Sequence, residues 1–258
     1  MARLILVTFF LFSLVPSSFA AQRLRFGVVI KVPDHELPVL AAEEKGFWEK
    51  NGLEAKTTIF KGGGPFGRAL AAREVDVGTS GVTGLFMANS RGLPSIMLAA
   101  FQKRSSLGIW VAAGGPRKKP KDLAGARLGM SSTGSLPHIY GQAVAKILGL
   151  ERKIRFVAVG GVATRMAALK SGAIDGHLSP FSAMARFQQE GKLREVLRFS
   201  DYLPKEWVAT ILVAHRETTI AKPTMVARAV KAFFQSIQFM RNDPSWTMQK
   251  LSQMRGYS

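Results

Sequence analysis

Five short loops hold the residues best suited to gripping a small polar molecule. They are the stretch with Lys31, Asp34 and His35; Gly62-Gly63-Gly64; Thr79-Ser80-Gly81; Ser131-Ser132-Thr133-Gly134-Ser135; and Ser179-Pro180-Phe181. Hydroxyls donate and accept hydrogen bonds, and free N–H groups at a helix start can hold an anionic oxygen. Lys31 can pair with an acidic ligand. Taken singly, each loop reads equally well as turn and capping chemistry, which favours the same residue types. Their convergence on one cleft is what favours binding. Phe66, Tyr140, Phe181 and Trp207 offer apolar surface for a ligand, although aromatic residues more often serve the core, where Trp48 is placed.

No catalytic constellation accompanies these loops. Gly129-Met130-Ser131-Ser132-Thr133-Gly134 misses a nucleophile elbow by one residue, and no Gly-Lys-Ser/Thr phosphate loop occurs. The four histidines, His35, His138, His177 and His215, are isolated from one another and show no metal-ligand spacing. There is no cysteine, which excludes disulfides, thiolate metal sites, a cysteine nucleophile and a lipid-modified N-terminal cysteine. The expectation is a protein that binds and does not catalyse, with no metal and no cofactor. A formal charge of +19 raises its encounter rate with anions; the basic residues are scattered, with one cluster at Arg117-Lys118-Lys119-Pro120-Lys121.

Residues 1–20 read as a secretory signal. Arg3 gives the positive start, Leu4 to Val15 is nearly all apolar, and Ser18-Phe19-Ala20 supplies the small residues of a cleavage site. The run is shorter than the about 18 residues of a spanning helix, and no later stretch is long enough. The expected location is the periplasm, where nucleic acid is not a partner.

The loops need elements to hold them. Apolar runs at Leu24–Ile30, Ala55–Phe60, Val75–Thr79, Ser95–Ala100, Leu107–Ala113, Arg155–Val159 and Trp207–Ala214 predict strands, and Asp122–Met130 reads as a turn and strand. Helices are expected over Leu37–Lys45, with Pro38 in the first turn, and over Pro65–Ala72, Val82–Ser90, Pro137–Leu148, Thr224–Arg241 and Ser245–Met254. Met184–Gly191 and Lys192–Phe199 read as short helical or mixed segments. This alternation means an α/β fold with largely parallel sheets. The plan also repeats: shifted by 99 positions, Gly62 meets Gly161, Leu70 meets Leu169, Asp76 meets Asp175 and Ser80 meets Ser179. Such a long spacing indicates two related halves rather than a solenoid. Asp76 and Asp175 open their strands at the end away from the cleft, and both read as structural.

Ala42-Glu43-Glu44-Lys45-Gly46-Phe47-Trp48-Glu49-Lys50-Asn51-Gly52-Leu53, followed by Leu70 to Gly78, resembles the solute-binding proteins of ABC importers. The group it resembles is the nitrate, sulfonate and taurine type, with relatives that bind thiamine pyrimidines. Lys121 to Gly129 and Leu169 to Gly176 are similar to that family's second lobe. The resemblance implies a two-lobed periplasmic-binding-protein fold of type II. It places lobe 1 at 21–107 plus 208–258 and lobe 2 at 108–207, joined by crossing strands near Leu107–Ala113 and Trp207–Ala214. It further implies a monomer that delivers a small anionic or polar organic solute to an inner-membrane ABC permease. Such proteins usually continue through further C-terminal helices, so the stop at Ser258 implies a shortened first lobe. An enzyme of the thiamine-pyrimidine synthase type and a sensing module for a membrane receptor remain alternatives, the first weakened by the lack of cysteine.

Overall fold

A computed structural model describes residues 21–254, so the expected signal segment lies outside the described residues. In chain order the first elements are β1 (Gln22–Val28), α1 (Pro33–Glu44), α2 (Phe47–Lys50), β2 (Leu53–Ile59), α3 (Gly63–Ala71), β3 (Val77–Gly81), α4 (Val82–Asn89) and β4 (Ser95–Gln102). The chain then crosses to β5 (Leu107–Ala112), β6 (Arg127–Met130), α5 (Leu136–Ile147), β7 (Arg155–Ala158), α6 (Val162–Lys170), β8 (Gly176–Pro180), α7 (Phe181–Gln189) and β9 (Leu193–Arg198). It returns as β10 (Thr210–His215), α8 (Arg216–Ala221), α9 (Pro223–Asn242) and α10 (Pro244–Gln253).

Two five-stranded sheets result, ordered β2-β1-β3-β10-β4 and β7-β6-β8-β5-β9. In each sheet one strand opposes the other four. These are β10, antiparallel to β3 and β4, and β5, antiparallel to β8 and β9. Both arrive directly from the other sheet, without a helical crossover to turn them around, so they enter in the reverse sense. The remaining pairs are parallel, and the carboxyl ends of those strands face the gap between the sheets, where ligands collect in such folds.

Several boundaries differ from the sequence expectation for physical reasons. Helix α1 starts four residues early because Pro33 takes its first position, where the missing N–H costs nothing. Asp34 and His35 therefore lie in a first helical turn rather than a loop. Pro38 sits inside the helix, not in its first turn, and removes the bond its N–H would have given to the Asp34 carbonyl. The Lys192–Phe199 stretch contains an edge strand, β9, and the short helices α2 and α8 were not anticipated.

The first sheet carries helices on both faces. On one, Leu24, Phe26 and Val28 pack against Trp48 and against Met225, Val226, Ala229 and Phe233 of α9. The Phe26 ring lies 5.3 Å from Trp48 and 5.9 Å from Phe233. Helix α9 buries Met225, Val226, Ala229, Ala232, Phe233 and Ser236, the one-sided spacing of an amphipathic helix, while Phe234 is exposed. On the opposite face Val29, Phe66, Leu70 and Val75 form a second cluster. The second sheet is built likewise, with Ile109, Leu128, Tyr140 and Leu178 on one side and Trp110, Val162 and Met184 on the other.

The duplicated acids hold equivalent places. The Arg25 backbone N–H donates to Asp76 Oδ2 at 3.0 Å, while Nε and Nη2 donate to Oδ2 at 2.9 Å and Oδ1 at 2.8 Å. Arg127 repeats this on Asp175, with its backbone N–H at 2.7 Å, Nε at 3.0 Å and Nη2 at 3.1 Å. Each pair ties the start of one parallel strand to its neighbour, so the acids act as scaffold. Two contacts close the gap between the lobes from either side: α1 touches α7, and α4 touches α5.

Candidate ligand-binding site

Between these two contacts lies a cavity of about 80 Å³ lined from both sheets and from the 103–106 connection. Six helices direct their N-terminal ends at it. The lining includes Asp34 and His35 of α1, Gly62 and Gly63 at α3, Gly81 at α4, Ser135 and Leu136 at α5, Arg165 in the first turn of α6, and Pro180 at α7. The residues capping these six helices, Val32, Gly62, Gly81, Ser135, Gly161 and Pro180, make no side-chain cap bond. The first-turn N–H donors of an α-helix have no intrahelical partner, and the helix dipole makes that end positive. The cavity therefore sits where several partial positive charges converge.

Arg165 adds a full one. Its side chain is 1% exposed; Nη1 donates to the Leu178 carbonyl and Nε to the Gly161 carbonyl at 3.3 Å. Its described partners are carbonyls, not carboxylates, and burial pushes its pKa down to about 10, so it remains a cation at neutral pH. A buried guanidinium with no counter-anion is a costly arrangement unless an anion completes it. Behind it, His177 is fully buried, with Nδ1 2.9 Å from Ser179 Oγ and Nε2 unpartnered. Burial first, and then the Arg165 charge, push this imidazole down to about 3, so it is neutral.

The other groups around the cavity are also short of partners. Ser135 Oγ is buried without a hydrogen bond, as is His35 Nδ1. Burial lowers the His35 pKa to about 4 against the opposing pull of Asp34, leaving a neutral ring. Among the described residues Asp34 is the one acid in the lining, and it is already engaged: Oδ2 accepts from Gln102 Nε2 at 3.2 Å and from Ser106 Oγ, and Oδ1 accepts from Ser182 Oγ. Apolar walls complete the space, among them Val29, Ile30, Leu107, Leu136 and Ala209.

Of the residues singled out from sequence, Asp34, His35, Gly62, Gly63, Ser80, Gly81, Ser131 and Ser135 line this cavity. Lys31, Gly64, Ser132, Thr133 and Gly134 belong to the same loops but do not line it; Lys31, Gly64 and Thr133 are exposed. Thr79 is buried, with Oγ1 accepting from the Val29 N–H at 3.4 Å. Ser179 matches Ser80 in the repeat yet stays out of the lining, because its hydroxyl is taken by His177, where the first lobe has Gly78. Phe181 stands outside, 6.0 Å from Trp110 and under the Arg198 guanidinium. Trp207 lies on a separate outer hollow with Arg104 and Lys205, its ring 5.4 Å from Tyr140. Phe66 and Tyr140 are core residues, and the Tyr140 hydroxyl donates to the Val208 carbonyl at 2.7 Å.

Arg165, Gln102, Ser105, Ser106 and Thr210 line the cavity from outside the five loops. Arg165 was findable, since the 99-residue shift that aligns the acids sets it against Phe66, and a charge opposite a ring in a repeat marks a divergence of use.

Comparison with known proteins bears on this geometry. The model of the family described as NMT1/THI5 like matches residues 33–246. A protein of Brucella abortus (strain 2308), provisionally named a binding protein, is 27% identical over 207 residues, which cover 79% of this chain and 62% of that protein's length. The chain thus spans about three fifths of the curated relatives it matches. Among solved structures, the alkanesulfonate-binding protein SsuA from Xanthomonas axonopodis pv. citri, bound to MOPS, superposes with a TM-score of 0.80 at 18% identity, over 90% of this chain and 78% of that one. The periplasmic nitrate-binding protein NrtA from Synechocystis PCC 6803 gives 0.75 at 15% identity, over 92% and 67%. At these identities the likeness shows the fold: two α/β lobes of the periplasmic-binding-protein kind.

Proposed function

The chain belongs to the NMT1/THI5-like family, and on that premise we propose that it is an exported solute-binding protein. It takes a small anionic or polar organic solute between its lobes for delivery to an ABC permease in the inner membrane, and it performs no chemistry on it. The division into 21–107 plus 208–258 and 108–207, and action as a monomer in the periplasm, are part of this reading.

The observation that carries it is Arg165, a buried guanidinium without a carboxylate, at a cavity on which six helix N-termini converge. An oxyanion seated there would accept from the guanidinium, from the unpartnered Ser135 hydroxyl and from backbone N–H groups, while the apolar walls would take a short carbon chain. The small cavity limits the solute to a few heavy atoms unless the lobes part further. The likeness to sulfonate- and nitrate-binding proteins supports the same class.

Thermal-shift and calorimetric titration with nitrate, sulfate, short alkanesulfonates and short carboxylates tests the reading. A true ligand at one hundred times its Kd stabilises the protein by about 2.7 kcal/mol. Arg165→Met should weaken that ligand by about ten- to a hundredfold, the value of a charge-assisted hydrogen bond. Absence of any stabilising anion, or full affinity in Arg165→Met, would overturn it.

A further inference from the structure

The Asp34 carboxylate has partners that belong to different parts of the molecule. Asp34 itself is on α1 of the first lobe, Gln102 ends β4 of the same lobe, Ser106 lies on the connection between lobes, and Ser182 is in the first turn of α7 on the second lobe. Among the described residues its hydrogen-bond partners are hydroxyl and amide groups, and it forms no ion pair. The gap is closed on its other side by an apolar contact. There, at the start of α5, Leu136 lies so near Gly81 that a Cβ on the glycine would stand 2.8 Å from the Leu136 Cβ, and Met87 borders Gly134 in the same way. One side of the closure is therefore polar and directional, and the other is close packing.

We propose that Asp34 is a positioning residue whose carboxylate clasps α7 to α1 and to the connection, holding the cleft shut, and that it is not a ligand contact. This rests on the reading of the chain as a binding protein whose lobes open and close. With three bonds accepted, the carboxylate has little capacity left for a solute. Hydroxyl partners suit a clasp that must release: a carboxylate bonded to serines gains enough in a half-buried site to favour closure, yet when the lobes part both sides are readily satisfied by water. A cation on α7 would instead add long-range attraction between the lobes and the cost of rehydrating a second charge.

Because the chain has no cysteine, labels can be placed without background. Arg91→Cys, exposed beyond α4, and Gln189→Cys, exposed on α7, put one spin label on each lobe. Double electron–electron resonance on the otherwise unaltered protein, with no solute added, should give mainly the short distance of the closed arrangement. Asp34→Ala should lower the ratio of closed to open molecules by about ten- to a hundredfold, and Ser182→Ala by about tenfold. The two together should do no more than Asp34→Ala alone. If Asp34→Ala fails to fold, Ser182→Ala and Ser106→Ala decide the matter. An unchanged distance distribution in the folded variants, or an open parent, overturns the clasp. No anion enters the measurement, so this result and that of the anion titration stand or fall separately.

Discussion

The two lobes are one plan executed twice, and their differences separate scaffold from site. The Arg25–Asp76 and Arg127–Asp175 pairs repeat bond for bond. In both lobes a glycine faces the helix that follows the neighbouring parallel strand: a Cβ on Gly27 would stand 2.7 Å from the Phe66 ring of α3, and one on Gly129 would stand 2.6 Å from Ile174 and 3.5 Å from Arg165 Cγ of α6. What leans on that glycine is exchanged. The first lobe sets Phe66 there, with Gly78 opposite Gly27; the second sets Arg165, with His177 opposite Gly129. The first lobe thereby fills that place with a core ring, and the second with a buried cation that lines the cavity. Asp76 and Asp175, on which the copies agree, hold strands together, while the Phe66/Arg165 exchange turns a core position of one lobe into a cavity-lining position of the other.

Substitutions at the exchanged and the retained positions should separate accordingly. The largest effect is expected at Phe66→Ala, which empties a 3% exposed site and should cost about 3–5 kcal/mol in urea unfolding. Next comes Asp76→Ala, at about 3 kcal/mol, against about 1 kcal/mol for Asp175→Ala. The Asp76 side chain is 1% exposed and also accepts from Lys222, while that of Asp175 is 26% exposed. Equal losses would show that burial does not distinguish the two pairs.

Acid should reveal the same division. Burial pushes the Asp76 carboxyl up, but the bonds from Arg25 and Lys222 outweigh it and leave it below the ordinary range. Asp175 is lowered chiefly by the Arg127 hydrogen bond. The stability from both is complete above about pH 3.9 and is lost as pH falls through their lower folded-state values. The buried imidazoles act earlier. His35 and His177 stay neutral when folded, at about 4 and about 3, whereas the unfolded chain binds their protons from about pH 6.5 downward. Stability should therefore fall by up to about 1.4 kcal/mol per pH unit for each between about pH 6 and 4.5. His177→Gln, which removes the one that occupies the place of Gly78, should lower that slope by up to about 1.4 kcal/mol per pH unit; an unaltered slope would place the titration elsewhere. The smallest effect on stability should come from Arg165→Met, within about 1 kcal/mol of the parent, because an apolar side chain of similar length replaces a desolvated charge. A loss of several kcal/mol there would make Arg165 a scaffold residue after all.

The alternation of strands and helices and the repeat were readable because burial imposes periodicity on sequence over short distances. Pairings across the molecule were not. Asp34 and Ser182 are 148 positions apart, and nothing local in either reveals the other. Among 36 lysines and arginines composition does not single out Arg165; only its place opposite Phe66 in the repeat does, and its burial comes from the fold. Ser179 misled for the opposite reason: its match to Ser80 is real in the backbone, but a two-residue neighbour on the same strand face, His177, claims its hydroxyl. Turn chemistry located the loops around the cavity, and side-chain competition decided which of their members reach it.

One feature of the connection between the lobes gives the protein a gauge of its own. Trp48, Trp110 and Trp246 are all buried, whereas Trp207 is 39% exposed on the returning strand's approach, beside Tyr140. Its indole alone among the four is wetted, so the long-wavelength edge of the emission spectrum belongs to it. Bending of the connection as the lobes part should change how much of that ring water reaches, and a shift in the colour of the unlabelled protein's fluorescence would then record its posture.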